Sequence, residues 1–350
     1  MKFPTSFTII SDEISQDLPN VKRFVKSFGF AGFELRSMAG RAFKDLTNAD
    51  IAEVAALAKG EGLKIFGCAS PVFKCDIDKP EEIRAHVEIF KRSIETAKAL
   101  NCDLIRVFTF LRQPTAPTPA TIDTIATHLR ELIELASAAG IRVGVENESS
   151  CIIGTGEEVL QLIPKLPAKG WGIIWDPCNI LFVPGSNFPP TKLFAQIAPH
   201  IIHIHAKDAI RRPGSGKDYV ADPVPVGVGE VNWRAHFKEI EQSGYQGLIS
   251  LETHWRVVQI DEKLLHLPAG YNFSKGAEEA SVACLRNIQA LCSLTYPQSC
   301  ATLRSVRSLR LNAPKSTLRC EVLKPSTMDG MLRWRSAREK RISSLLMKSV

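Results

Sequence analysis

Short runs of β-branched and apolar residues alternate along this chain with longer stretches whose apolar positions recur at the three- and four-residue spacing of an amphipathic helix. Eight runs have strand character: 7–11, 32–36, 64–70, 104–110, 142–148, 171–177, 201–208 and 248–254. Helical periodicity fills 48–61, 80–100, 121–139, 156–163 and 233–243, and a last helix, 275–292, follows the eighth strand. Asn48 is the expected N-cap of the first of these, and Asp78 to Pro80 opens the long one after it. Several strands are apolar without alternation, as in Trp171-Gly-Ile-Ile-Trp175, which suits strands covered on both faces. Eight β-then-α units predict a (β/α)8 TIM barrel, because a doubly wound sheet usually stops at about five to seven strands.

From residue 296 the texture changes to recurring Ser, Leu and Arg with no sustained period. Residues 296–350 hold 12 Lys+Arg against 3 Asp+Glu, a balance of +9, so the whole-chain +7 leaves −2 for 1–295. The expected organisation is therefore a barrel domain, 1–295, and a basic, largely disordered tail, 296–350. The tail's other reading is a tether for an acidic partner, RNA or a membrane surface. The barrel itself lacks the basic stripe that tracks a phosphate backbone, so no nucleic acid is expected on it. No run approaches the roughly 20 apolar residues of a membrane span, and the first residues lack a cleavage site. Nine cysteines without a CxxC pair read as reduced thiols, with Cys68, Cys102 and Cys178 as small core residues. A cytoplasmic protein with no membrane association is the expectation, and a homo-oligomer is an allowed assembly.

Barrel active sites form where strands end, so polar residues closing apolar strands are the candidates for chemistry. Four consecutive strands qualify: the fifth ends Val143-Gly-Val-Glu146-Asn-Glu148, the sixth Ile174-Trp-Asp176-Pro-Cys-Asn179, the seventh reads Ile202-His203-Ile-His205-Ala-Lys207-Asp208, and the eighth ends Ile249-Ser-Leu-Glu252-Thr-His254. Neighbouring strands lie roughly 5 Å apart, which lets Glu146, Asp176, His205 and Glu252 converge on one ion. Three carboxylates and an imidazole make a hard site for one divalent metal, Mn2+ first, with Mg2+, Co2+ or Zn2+ also suited. Clustered carboxylates without a cation repel one another, which favours metal over an empty cluster. Period-two alternation points His203 and His205 the same way, with His203 deeper. Lys207 is a candidate substrate anchor, Glu34 a candidate contact for a substrate hydroxyl and Trp255 a pocket wall; Asp12, Glu13 and Arg36 read as structural.

The endings VENE, WDPCN, HIHAKD and SLETH, in this order, resemble the sugar phosphate isomerase/epimerase superfamily, the xylose-isomerase-like TIM barrels, over about residues 8–291. Pro225-Val-Gly-Val-Gly-Glu230-Val-Asn-Trp233 is similar to that family's loop before its seventh helix. The resemblance implies metal ligation by Glu146, Asp176, His205 and Glu252, proton transfer by Glu146 and Glu252, and a substrate contact from Arg211, six residues after His205. Ketose 3-epimerases of this group carry a histidine where this chain has Asn179, so that sugar contact is altered. Endonuclease IV, a relative acting on abasic DNA, uses further histidines on strands three and four, and here those strands end at Cys68-Ala-Ser70 and Phe108-Thr-Phe110. The implied activity is isomerisation or epimerisation of a sugar or sugar phosphate, by proton abstraction next to a carbonyl through an enediolate. The alternatives are a metal-dependent dehydratase of an inosose or dehydroshikimate type, and a non-catalytic barrel whose tail binds a partner.

Overall fold

The structure, a computed structural model, describes residues 7–186, 189–213, 219–257 and 276–295. The basic tail, 296–350, lies outside the described residues, as does 258–275.

The eight expected strands form one parallel sheet: β1 (Phe7–Ile9), β2 (Gly32–Leu35), β3 (Lys64–Cys68), β4 (Leu104–Val107), β5 (Arg142–Glu146), β6 (Trp171–Trp175), β7 (Ile201–Ala206) and β8 (Leu248–Leu251). They follow one another around the sheet, with β8 pairing β1. A parallel bridge from Ile10 to Glu34, with a 2.9 Å hydrogen bond from Thr8 Oγ1 to the Gly32 carbonyl, brings β1 against β2 and closes the barrel. Each strand stops one to three residues before its apolar run does, because the last residues leave the sheet to build the site.

The helices are α1 (Leu18–Ser27), α2 (Asn48–Glu61), α3 (Pro80–Ala99), α4 (Pro119–Ala138), α5 (Gly156–Leu162), α6 (Phe194–Ile197), α7 (Trp233–Gln242) and α8 (Ala277–Thr295). Helical spacing buries one stripe of each long helix, Ile122, Ile125, Leu129, Leu132 and Ala136 on α4 for example, against the sheet. The cap of α2 is Thr47 rather than Asn48: Thr47 and Asp50 exchange side-chain and backbone hydrogen bonds in a capping box, which leaves Asn48 as the first helical residue. Lys79 precedes α3 without a side-chain cap, and Pro80 supplies the start with its preset φ. Two antiparallel ribbons leave the barrel mouth, Ser37–Met38 with Arg41–Ala42 after β2 and Ala209–Pro213 with Tyr219–Pro223 after β7. No helix among the described residues is long and apolar enough to cross a membrane. The seven described cysteines, Cys68, Cys102 and Cys178 among them, are free and buried.

Two register shifts place inward side chains. Between Phe33 and Glu34 the β2–β3 register skips a residue, so Glu34 faces Gly67; a matching shift between Ile173 and Ile174 sets Ile174 opposite His203. A Cβ at position 67 would lie 3.2 Å from both Cγ and Oε2 of Glu34, so the glycine makes the room its carboxylate occupies. Gly67→Ala is expected to destabilise the barrel by about 1–3 kcal/mol through this overpacking; urea denaturation of the variant beside wild type measures it, and unchanged stability would show that Glu34 has slack.

Candidate metal centre

Glu146 is the last residue of β5, Asp176 follows β6, His205 sits late in β7 and Glu252 follows β8. All four are buried, and each offers a ligand atom within 4.8 Å of the others'. Nδ1 of His205 lies 3.2 Å from Oε1 of Glu146 and 3.3 Å from Oε2 of Glu252, while Nε2 turns away to Oε2 of Glu34 at 3.3 Å. A carboxylate behind an imidazole fixes the ring and directs the opposite nitrogen into the site. His203, one pleat deeper, joins the same carboxylate through Nε2, 2.6 Å from Oε1. The expectation that Glu34 meets a sugar hydroxyl is therefore corrected: both oxygens are taken by imidazoles, and the residue is 1% exposed beneath the centre.

The electrostatic premise is corrected as well. Repulsion among Glu146, Asp176 and Glu252 does not by itself require a metal, because each carboxylate carries a protein cation. Arg106 Nη1 lies 3.1 Å from Oε2 of Glu146, Lys207 Nζ 2.9 Å from Oδ2 of Asp176, and Arg36 Nη1 contacts Oε1 of Glu252. What marks the cluster as incomplete is the state of the oxygens. Glu146 Oε2 and Asp176 Oδ2 are buried with an ion-pair neighbour but no directed hydrogen bond, which leaves acceptor capacity uncommitted. Asp176 Oδ1, by contrast, accepts the backbone N–H of Cys178 at 2.8 Å and of Asn179 at 3.1 Å. Three carboxylates and an imidazole with spare lone pairs fit a hard or borderline divalent cation.

Burial pushes Asp176 up to about 6, assisted by Glu252 and Glu146 and opposed by Lys207. Burial acts on Glu252 in the same direction but is outweighed by Lys207 and His254, so this carboxyl stays well below the usual range. For His205 burial lowers the pKa and Glu146 and Glu34 more than reverse it, to well above the ordinary imidazole value.

Lys207, the expected substrate anchor, is buried between Asp176 and Glu252, 3.5 Å from Oε2 of the latter. Asn179 donates from Nδ2 to the Asn147 carbonyl at 2.8 Å and approaches Glu146 Oε1 at 3.4 Å, so it borders the centre. Arg211 stands on the ribbon after β7, paired with Glu230 at 2.8 Å and donating to the Ser186 carbonyl. Trp255 is half-buried against the core just past Glu252. Arg106 was not singled out in the sequence, although the signal exists: a charged residue inside the apolar run Leu104-Ile-Arg-Val107 at an inward strand position. Arg36, Asp12 and Glu13, read as structural, form a buried ion network that reaches Glu252 and continues from Glu13 to Arg256 at 2.9 Å.

Comparison with known proteins agrees with this architecture. The profile of the xylose isomerase-like TIM barrel matches residues 23–288. The chain belongs to that family. This xylose isomerase-like barrel is also 27% identical, over 134 residues, to an uncharacterized protein of Methanocaldococcus jannaschii, a match covering 37% of this chain and 43% of that relative's length. Among solved structures it is similar to a D-allulose 3-epimerase from Methylomonas in complex with D-allulose, with a TM-score of 0.62 at 15% identity over 83% of this chain and 99% of the other. A xylose isomerase-like barrel from Mycobacterium smegmatis in complex with magnesium gives a TM-score of 0.59 at 18% identity, covering 83% and 99%. The probable 3-DHS dehydratase AsbF of Bacillus anthracis gives 0.57 at 17%, covering 79% and 98%. At these identities the likeness is one of fold.

The ion network makes the barrel sensitive to acid. Burial raises Glu13, but Arg256 and Arg36 overcome it and bring the carboxyl down to about 2; Glu148 is likewise brought to about 2, with burial outweighed by Lys74 and Lys207. A depressed carboxylate contributes stability that is complete above the unfolded value of 4.5 and is lost as pH falls through 2. Denaturation midpoints measured from pH 7 down to pH 2 are expected to fall below about pH 4.5, with a shallower fall in Glu148→Gln; equal slopes in the two proteins would remove Glu148 from the account.

Proposed function

We propose that this chain is a divalent-metal-dependent isomerase or epimerase of a small sugar or sugar phosphate, working by proton transfer next to a carbonyl through an enediolate. The observation that carries the proposal is the convergence of Glu146, Asp176, His205 and Glu252 at the end of the barrel where this fold builds active sites. The four would hold one divalent ion, Mn2+ in the first place, with Mg2+, Co2+ and Zn2+ fitting the same donors. Such an ion supplies Lewis acidity that polarises the substrate carbonyl and acidifies the neighbouring C–H.

The remaining work falls to side chains. Glu146 and Glu252 approach the centre from strands three places apart and flank the same His205 nitrogen. One carboxylate takes the proton from carbon, and the opposed one can return it to the other face, as an epimerisation requires. Return to the neighbouring carbon gives aldose–ketose isomerisation instead. Glu34 holds the His205 ring in place, and Asn179, Lys207, Arg211 and Trp255 line the approach as substrate contacts. The physiological setting this implies is cytoplasmic carbohydrate metabolism, with the small molecule as the barrel's partner.

One observation favours dehydration as the second reading. His254 is a third exposed and places Nε2 3.2 Å from Oε1 of Glu252, at the edge of the centre where a general acid for a departing hydroxyl would stand.

The test uses the full chain loaded with Mn2+, a panel of ketoses, aldoses and inososes, and deuterated solvent. Wild type is expected to incorporate deuterium next to the carbonyl of one class, and Glu146→Gln and Glu252→Gln to lose at least about 100-fold in exchange rate. Exchange that persists in both variants would refute the assignment of bases, and an eliminated product in place of an epimer would move the reading to the dehydratase.

A further inference from the structure

The cations on the three carboxylates are not placed alike. Arg106 and Arg36 contact Oε2 of Glu146 and Oε1 of Glu252, the oxygens turned away from His205 Nδ1. Both can stay in place while the inward oxygens, Glu146 Oε1 and Glu252 Oε2, take another partner. Lys207 differs. Its Nζ sits on Oδ2 of Asp176, whose other oxygen is occupied by two backbone amides, and 3.5 Å from Oε2 of Glu252, the inward oxygen. The ammonium thus contacts two of the acceptors that a metal at this centre would need, in a pocket where the lysine is 2% exposed.

We propose that Lys207 is a resident counter-cation which the metal must displace, and that its displacement frees the ammonium for the substrate. The inference rests on the metal-centre reading above and adds an order of events to it. Without metal, Nζ neutralises Asp176 and Glu252, whose burial would otherwise be costly. A divalent ion at the same oxygens competes with the ammonium for lone pairs and repels it at short range, so the side chain swings off Asp176. A further carboxylate whose charge already acts on Lys207 is Glu148. Helix α7 anchors the lysine backbone meanwhile, through the 2.9 Å hydrogen bond from Trp233 Nε1 to the Lys207 carbonyl. The freed ammonium then faces the space beside the metal as a donor to a substrate oxygen. Metal precedes substrate, because the substrate's cation is sequestered until the metal has bound.

Isothermal titration of the full chain with Mn2+ alone tests this, read on wild type, Lys207→Met, Lys207→Gln and the charge-retaining Lys207→Arg. The neutral variants are expected to bind Mn2+ at least tenfold more tightly than wild type, and Lys207→Arg to show no such gain. Thermal melting gives an independent reading: Mn2+ should raise the midpoint of the neutral variants by more than that of wild type. A Lys207→Met chain that folds only when Mn2+ is supplied supports the proposal, since the ion then does what the ammonium did. Wild-type binding with equal or weaker binding in the neutral variants overturns the inference and leaves the metal centre standing. No saturable Mn2+ binding by wild type removes the metal centre, and this inference with it.

Discussion

Everything at the mouth of this barrel follows from the difficulty of keeping several charges in a space from which water is excluded. Glu146, Asp176 and Glu252 are all nearly inaccessible, and transferring an isolated carboxylate into such surroundings costs several kcal/mol even after relaxation. The protein meets that cost with a cation for each carboxylate, Arg106, Lys207 and Arg36, drawn from three different strands. Pairing of this kind contributes little net stability. It decides which oxygens face a cation and which face His205, and the acceptor capacity that stays uncommitted among them defines the centre.

The barrel makes the pairing possible by its closure. Arg36 at the end of β2 reaches Glu252 after β8 because β1 alone stands between those strands in the ring, and Asp12 and Glu13 after β1 hold the guanidinium from the other side. Glu34 meets two histidines of β7 across the barrel interior, through a register shift and a glycine that open the space for it. The loop between β7 and α7 is tied down in a similar way. Asp208 accepts backbone N–H groups from Ala209, Gly227, Gly229 and Val231, and a Cβ on Gly229 would stand 2.1 Å from Oδ1 of Asp208. These arrangements place the site on strand ends and on a loop tied to them.

Membership of the xylose isomerase-like family and a fold shared with an epimerase and a probable dehydratase put one scaffold under several chemistries. The chemistry is therefore to be sought in the site. Two polar residues border it, the buried Asn179 beside Glu146 and the partly exposed His254 beside Glu252.

Most of the fold was legible in the chain itself, because burial on both faces leaves eight apolar runs of strand length and a legible amphipathic helix follows six of them. Glu146, Asp176, His205 and Glu252 were legible for a related reason: a polar side chain that closes an apolar strand in a parallel barrel has one place to go. Helices α1 and α6 went unread, the second because four residues are too few to show a period. The roles of Glu34, Arg36 and Arg106 also belong to the tertiary structure. Each acts on a residue far away in sequence, Arg36 on Glu252 across 216 positions and Glu34 on His205 across 171, and the register shifts that aim them leave no periodic trace. The sequence by itself determined which residues end the strands; closure of the ring decided which charges face one another there, because pairing across a barrel depends on strand order and register rather than on spacing along the chain.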